Sequence, residues 1–245
     1  MTFDSLTFAV FLLATWAAYW ATPGWHARKV LLLVLSYVFY AAWNPFFVLL
    51  LVATTAFDWL MGRKLEREAR PGWRRALLLA SIVVNLCALG FFKYAQFFTD
   101  SAIDLARVFG IAFRPLDLGI LLPVGISFYT FTQIAFLVDA YRGQVAAYAL
   151  PHYALFVTYF PHLIAGPILH HKDMIPQFES AEAKRPNPHL ILCGLIVFAA
   201  GLFKKTCLAD GIQPLVALAF DARAPSFDQA WCGVLAYTFQ LYVDF

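Results

Sequence analysis

The segment FPHLIAGPI, residues 160–168, places one histidine between two prolines inside an otherwise apolar stretch. Proline removes a backbone donor and clashes with the preceding helical turn, so Pro161 and Pro167, with Gly166 beside the latter, predict a broken helix. Irregular backbone at membrane depth is tolerated only where it is buried in protein or lines a water-filled cavity. We therefore expect His162 at a cavity wall, where it would bind a hydroxyl, a carboxylate or a thioester carbonyl, or move a proton. The alternative is a structural histidine with satisfied hydrogen bonds.

Two groups of charged residues lie within or beside apolar runs, where an ionisable side chain is a candidate for function. Asp139 and Arg142 are three residues apart, share a helix face and predict an ion pair that fixes a helix end. Lys204, Lys205 and Asp210 follow an apolar run, and the two lysines predict an anchor at the cytoplasmic surface of the membrane. In both groups the alternative to a structural role is a direct role in a site.

For four further polar side chains, a structural role is favoured over a functional one. Asp58 precedes Arg63 by five residues, which favours local pairing or an interfacial position over function. Lys93 lies near a helix end, from which its long side chain can reach water. The adjacent His170 and His171 have no further ligands at a metal-binding spacing, so no metal site is predicted.

The cysteines and the known nucleotide and hydrolase motifs suggest no other chemistry. The four cysteines are far apart, form no C-x-x-C pair and are expected to be small buried side chains: Cys87, Cys193, Cys207 and Cys232. The sequence contains neither G-x-S-x-G nor a phosphate-binding loop. It also lacks a basic patch interleaved with stacking aromatics, so nucleic acid is not an expected partner.

Composition identifies the broad class of protein. The chain is 62% hydrophobic and 13% charged, with a mean hydropathy of +0.69. A soluble domain is near half apolar and about a quarter charged. Because the apolar residues form continuous runs, we predict an integral membrane protein whose fold is an all-α, polytopic transmembrane helix bundle with re-entrant or interfacial helices.

Apolar runs of roughly twenty residues predict the elements that must position these side chains. The predicted helices cover about 5–22, 28–43, 46–62, 76–98, 118–143 and 148–165, then 189–220, with a last element from about 227. The 189–220 run is long enough for one span and a short interfacial helix. Apolar residues at helical spacing over 99–115 predict an amphipathic helix lying in the interface.

Basic residues predict the orientation of the chain in the membrane. The loop at 63–75 holds six Lys and Arg residues, the loop at 23–29 holds two, and the turn at 43–45 holds none. This distribution places the amino terminus outside. The chain shows no internal repeat and no flexible linker, so we predict a single membrane domain over residues 1–245.

Six segments, in order along the chain, resemble the membrane-bound O-acyltransferase (MBOAT) family. They are most similar to its bacterial branch of alginate O-acetyltransferases and teichoic acid D-alanylation proteins. The segments are SYVFYAAWNP (36–45), GFFKYAQFF (90–98), LPVGISFYTFTQIAFLVDAYRG (122–143), YFPHLIAGPILHHKDMIPQF (159–178), GLFKKTCLAD (201–210) and YTFQLYVDF (237–245).

The resemblance implies a helix bundle around a tunnel through the bacterial inner membrane. An acyl group, expected to be acetyl, would pass from a donor such as acetyl-CoA or another activated carrier to a hydroxyl of an extracytoplasmic polysaccharide such as alginate. No bound cofactor is expected beside this donor substrate. The implied partners are the lipid bilayer and further proteins that complete polysaccharide acetylation.

The resemblance also selects residues for the tunnel wall. Gln133, Gln240 and Asp244 are polar residues within the matched segments and join the residues around His162 as tunnel candidates. No catalytic residue is carried over, because the family's catalytic histidine is expected beyond Phe245, the last residue of the matched segment 237–245. We therefore expect the chain to be the amino-terminal part of such an enzyme and inactive alone. The alternatives are an inactive fragment or partner subunit, or, less favoured, a transporter, whose paired broken helices are not seen.

Overall fold

The computed structural model of the protein describes residues 3–111, 116–145, 148–164, 166–167, 169–180 and 184–244. Every regular element among these residues is helical, which confirms the predicted all-α class. Three helical stretches are long and apolar enough to cross a membrane: Phe46–Arg67, Pro71–Val108 and Pro188–Phe220. The apolar helix Leu6–Ala21 is shorter. These stretches agree with an integral membrane protein.

The helices follow one another along the chain. Their bounds are α1 Leu6–Ala21, α2 Trp25–Ala41, α3 Phe46–Arg67, α4 Pro71–Val108, α5 Ile126–Tyr141, α6 Leu150–Thr158, α7 Phe160–Leu163, α8 His171–Met174, α9 Pro188–Phe203, α10 Asp210–Phe220 and α11 Phe227–Asp244. A 3-10 turn, Ile175–Phe178, follows α8. A π-helical turn, Lys204–Ala209, joins α9 to α10 without a break.

Helix α4 differs from the sequence prediction. It runs unbroken to Val108, so the separate interfacial helix predicted from Thr99 is a continuation of α4, and that prediction was wrong. No proline lies within the helix after Pro71, and Gly90 is tolerated inside it. At 1.5 Å per residue α4 is ~57 Å long, well beyond the ~30 Å hydrocarbon core. Residues 112–115 of the predicted segment lie outside the described part of the chain.

Helix α5 begins eight residues later than predicted. Residues 118–125 are not helical, and Gly125, with φ of 77°, precedes the first helical residue, Ile126. The amide of Ile126 donates to the Pro123 carbonyl at 3.2 Å. The proline and the glycine therefore end the irregular segment and start the helix.

The chain divides into two compact units. Thr15–Ala183 form the larger unit, in which α3 and α4 pack against α5, and α2 and α3 pack against α6. The core of this unit includes Tyr40, Phe136 and Tyr153. The smaller unit consists of Met1–Ala14 and Lys184–Phe245, and within it α10 packs against α11. The prediction of a single domain over 1–245 stays a prediction.

The prediction that the cysteines are buried was wrong, because all four are exposed on helix surfaces. Helix α9 has no buried residue although it is strongly apolar, and Leu192 and Val197 are among its exposed side chains. In a membrane protein the outer face of a helix is apolar as well as the inner face. An apolar run therefore does not predict which of its cysteines are buried.

Candidate functional site

A small cavity lies where α5, α6 and α7 meet. Its lining residues are Phe128, Tyr129, Thr132, Val157, His162, Leu163, Gly166 and Pro167. Three of the predicted tunnel residues therefore share one cavity wall, and Pro161 is exposed beside them. The wall combines apolar side chains with a small number of polar groups.

The irregular backbone at this cavity follows from the local sequence. Helix α6 ends at Thr158, and Tyr159 leaves the helical conformation with ψ of 114°. Helix α7 then begins with Pro161 in its first turn, where a missing N–H costs no helical hydrogen bond. The short helix ends at Leu163. The proline thus restarts the chain in a new direction and brings His162 to the cavity.

The hydrogen bond of the His162 ring determines which ring nitrogen remains an acceptor. Nδ1 lies 2.9 Å from the Tyr159 carbonyl oxygen. Because a carbonyl only accepts, Nδ1 carries the proton and Nε2 holds a lone pair. Nε2 is buried and has no hydrogen-bond partner among the described residues. An unpaired buried acceptor costs about 1–3 kcal/mol, so a bound hydroxyl or water at Nε2 would stabilise this arrangement.

Two hydroxyl groups of α5 line the same cavity. The Tyr129 hydroxyl is buried and makes no hydrogen bond of standard geometry within the described residues. The nearby Tyr40 hydroxyl donates to the Val124 carbonyl oxygen at 3.0 Å. Thr132 Oγ1 donates to the Phe128 carbonyl oxygen at 3.0 Å and retains the capacity to accept. The residues that line the cavity therefore include one imidazole with a free acceptor and two side chains that carry hydroxyl groups.

Two glycines allow the cavity wall to pack this closely. A Cβ at Gly166 would overlap Cα and Cβ of His162 and lie 2.7 Å from its carbonyl oxygen. A Cβ at Gly125 would lie 2.6 Å from the Leu163 carbonyl oxygen, and the φ of 77° at Gly125 is a left-handed conformation. The position of His162 therefore depends on glycine on both sides of it.

The remaining tunnel candidates lie elsewhere. Gln133 is fully buried in α5, and its Nε2 donates to Thr55 Oγ1 at 3.4 Å. Gln240 belongs to the smaller unit, where its Nε2 donates to Gln213 Oε1. Asp244, in the same unit, is described below with the lysines. Their roles in a tunnel stay predictions.

The described part of the chain ends before the position at which the catalytic histidine was expected. Helix α11 ends at Asp244, the last residue that the structure describes. Phe245, which marked the point beyond which that histidine was expected, lies outside the described residues. The position of the catalytic histidine beyond Phe245 therefore stays a prediction, and so does the inactivity of residues 1–245 alone.

The lysine group forms ion pairs within the smaller unit. Lys205 Nζ lies 2.7 Å from Asp210 Oδ1 and 3.2 Å from Asp244 Oδ1. These contacts tie the π-helical turn to the first residue of α10 and the last residue of α11. Lys204 is exposed and has no ion pair among the residues that the structure describes. Its role as a membrane anchor stays a prediction.

Asp139 meets histidines instead of the arginine predicted from helical spacing. Its Oδ2 lies 3.2 Å from Nε2 of the buried His171 and 3.9 Å from Nδ1 of His170. The Tyr148 hydroxyl lies 3.5 Å from His171 Nδ1. Burial lowers the pKa of His171, and the Asp139 carboxylate opposes this effect. Across 116–145 and the other described ranges, no ion pair joins Asp139 to Arg142, which is exposed just beyond the last residue of α5.

Asp58 also has a different environment from the one expected. It is fully buried, and Asn85 Nδ2 donates to its Oδ1 at 2.8 Å. The Arg63 guanidinium lies over the Trp59 ring instead, 5.0 Å from the centroid. Sequence reasoning missed the pair because it considered only local partners. The one available signal was Asn85 itself, a lone amide within the apolar run of α4.

Comparisons with known proteins identify a family model and several relatives that match this chain. The family model described as "MBOAT, membrane-bound O-acyltransferase family" matches residues 126–243. "Probable alginate O-acetylase AlgI" of Pseudomonas aeruginosa is 40% identical over 248 residues, which cover 100% of this chain and 47% of that protein. The protein of the same name from Azotobacter vinelandii is 39% identical, over 100% of this chain and 49% of the relative.

A third relative carries a different name. "Peptidoglycan O-acetyltransferase" of Helicobacter pylori is 36% identical, over 89% of this chain and 45% of the relative. No solved structure matches the chain significantly. The chain spans about half the length of the curated relatives it matches. The matched segment and these relatives show that the chain belongs to the membrane-bound O-acyltransferase family.

Proposed function

We propose that the protein transfers an acetyl group to hydroxyls of an extracytoplasmic polysaccharide, as a membrane-bound O-acyltransferase. Two relatives are named for acetylation of alginate and one for acetylation of peptidoglycan. These names share the acetyl group and a carbohydrate polymer as acceptor. Alginate is the acceptor we favour, because the alginate-named relatives match the whole chain. The proposed location is the bacterial inner membrane.

The observation that carries this proposal is the free lone pair of His162 Nε2 at the cavity. An acceptor hydroxyl would donate to Nε2 and thereby direct its oxygen toward the acyl carbonyl. The oxygen attacks that carbonyl, the bond from the acyl carbon to the carrier breaks, and the carrier leaves with the hydroxyl proton. In this proposal His162 binds and orients the hydroxyl, and no catalytic residue is assigned within residues 1–245.

The acyl donor and the partners are part of the same proposal. Acetyl-CoA or another activated carrier would deliver the acetyl group, since transfer to a hydroxyl requires a good leaving group. Phe128, Val157 and Leu163 make much of the cavity wall apolar, and limited access of water protects such a donor from hydrolysis. Further proteins outside the membrane would complete the transfer to the polymer.

The test is the substitution His162→Ala in the full-length protein. We expect acetylation of the polymer to fall about 5- to 100-fold, the equivalent of one lost hydrogen bond to a buried group. The protein should stay in the membrane at its normal level, as measured by immunoblot. Acetyl content of the isolated polymer gives the activity.

His189→Ala is the matched control, because His189 is exposed at the start of α9. Its acetylation activity should equal that of the unsubstituted protein. If His162→Ala leaves acetylation unchanged at a normal protein level, the assignment of the hydroxyl site to His162 is wrong.

A further inference from the structure

Polar side chains from four helices converge inside the larger unit. Thr55 and Asp58 come from α3, Asn85 from α4, Gln133 from α5 and Tyr153 from α6, and none is more than 3% exposed. The helix that carries Asp58 is long and apolar enough to cross a membrane. An ionisable residue in such a position needs a specific partner or a function.

Several of these groups bond to one another. Asn85 Nδ2 donates to Asp58 Oδ1 at 2.8 Å and to the Ser81 carbonyl oxygen at 3.0 Å. Gln133 Nε2 donates to Thr55 Oγ1 at 3.4 Å. Thr55 Oγ1 in turn donates to the Leu51 carbonyl oxygen at 2.6 Å. These bonds fix the head groups of Asp58 and Gln133.

Three polar atoms of this cluster remain without a partner within the described part of the chain. They are Asp58 Oδ2, Gln133 Oε1 and the Tyr153 hydroxyl. Asp58 lies close enough to Tyr153 for the two groups to interact electrostatically. Buried polar atoms are almost always hydrogen-bonded, and a group of orphans indicates a bound water or ion. The three unsatisfied atoms are thus one carbonyl acceptor, one hydroxyl and one carboxyl oxygen.

No cation neutralises Asp58 among the residues that the structure describes. Arg63 lies over Trp59, and Arg74 donates to the Tyr141 carbonyl oxygen at 2.6 Å. An isolated carboxylate is very costly to bury, and such a group takes up a proton instead. Because Asn85 donates to Oδ1, the proton belongs on Oδ2.

We propose that Asp58, Gln133 and Tyr153 form an internal site that binds one proton and one water molecule. Asp58 carries the proton on Oδ2. The water accepts hydrogen bonds from the Asp58 and Tyr153 hydroxyl groups and donates to Gln133 Oε1. Three partners are the usual number for a buried water, and this arrangement satisfies all three orphaned atoms.

The surroundings of the site separate it from the other polar groups of α5. The Phe136 ring packs 4.3 Å from the Tyr153 ring and 5.7 Å from the His171 ring, between centroids. Phe136 therefore contacts one residue of the proposed site and one residue of the Asp139–His171 pair. On the other side, Gln133 directly follows Thr132 of the His162 cavity. The proposal does not depend on acyl transfer and would stand if that function were wrong.

The test is infrared difference spectroscopy on the full-length protein in bilayers at neutral pH. The spectrum of the unsubstituted protein minus that of Asp58→Asn should contain the C=O band of a protonated carboxyl group, shifted in D₂O. Asp139→Asn is the matched control, because Asp139 faces His171, and the protonated carboxyl band should persist in this variant. Loss of an ionised carboxylate band in Asp58→Asn would overturn the proposal.

A second variant tests the water without removing Asp58. Gln133→Leu deletes the acceptor Oε1, so the protonated carboxyl band should persist at a shifted frequency. An unshifted band would contradict the bridging water, and this variant remains informative if Asp58→Asn does not fold. Exchange of Na⁺ for choline should leave the Tm unchanged. A Tm that requires Na⁺ would place a cation at the site instead of the proton.

Discussion

Asp139 is held by a histidine from the segment after α7, and this bond fixes that segment against the end of α5. His171 is buried, with Nε2 on the Asp139 carboxylate and Nδ1 near the Tyr148 hydroxyl. If either partner is lost, the other becomes a buried polar group without its bond. Arg142, three residues from Asp139, lies outside this arrangement.

We expect Asp139→Ala and His171→Ala each to lower the free energy of unfolding by about 1–3 kcal/mol, the cost of an unsatisfied buried partner. Arg142→Ala should change it by less than about 0.5 kcal/mol, as is usual for an exposed side chain. Thermal or denaturant unfolding of the purified protein in detergent measures these differences.

A double substitution of Asp139 and His171 provides the control. Residues in one hydrogen-bond network are not additive, so the double variant should lose less than the sum of the single losses. Strict additivity, or a loss in Arg142→Ala as large as in Asp139→Ala, would contradict the pairing of Asp139 with His171.

Single residues also show where sequence reasoning succeeds. Pro161 and Gly166 act on the backbone next to them, so the broken helix around His162 could be predicted from the sequence and is present in the structure. Asp58 depends on Asn85, 27 residues further along on another helix. That pairing could not be predicted, because nothing in the local sequence of α3 encodes the rotation of α4 about its axis.

At the scale of elements, the start of α5 and the segment around α7 form one packed junction. Gly125 supplies a left-handed turn, and its missing Cβ leaves room for the Leu163 carbonyl oxygen. The apolar runs predicted the bounds of α1 to α3 within a few residues, apart from the extension of α3 to Arg67. They did not predict where α5 begins, because Pro123 and Gly125 lie inside an apolar run that continues across the break.

We expect Gly125→Ala to destabilise the protein and to lower acyl transfer. The left-handed conformation costs an L-residue about 1–2 kcal/mol, and overlap with Leu163 adds about 1–3 kcal/mol. The displaced backbone would also move His162 away from the cavity. Unfolding measurements and the acetylation assay of the full-length protein test both effects.

Gly143→Ala is the matched control for that substitution. Gly143 also has a left-handed φ, of 70°, but no atom of the described residues, apart from its chain neighbours, lies within 4 Å of its added Cβ. The control variant should lose only the conformational part, about 1–2 kcal/mol, and keep its acyl-transfer activity. Equal losses of stability in the two variants would show that the overlap with Leu163 contributes nothing to the loss in Gly125→Ala.

At the scale of the whole molecule, the exposed surface is largely apolar where helices are long enough to span a bilayer. Leu79, Val83, Leu86 and Phe91 are exposed along α4. Contiguous apolar surface of this kind is covered by lipid in an integral membrane protein. Orientation in the bilayer is then decided by the loops, since lipid-facing apolar side chains do not distinguish the two sides.

The ends of α3 allow that orientation to be measured. The helix has 22 residues, about 33 Å, so Ala42 before it and Ala69 after it lie on opposite sides of a ~30 Å core. Both alanines are exposed. The loop that contains Ala69 is rich in Lys and Arg, which favours the cytoplasmic side.

With the four native cysteines replaced by serine, we expect Ala42→Cys to react with a membrane-impermeant thiol reagent in intact cells. Ala69→Cys should react only after the cells are permeabilised, because its loop would be retained inside by its basic residues. The cysteine-free protein gives the background. Labelling of Ala69→Cys in intact cells would reverse the orientation. The end of α3 near Arg63 would then face outward, opposite to the side from which the proposed acyl donor would enter.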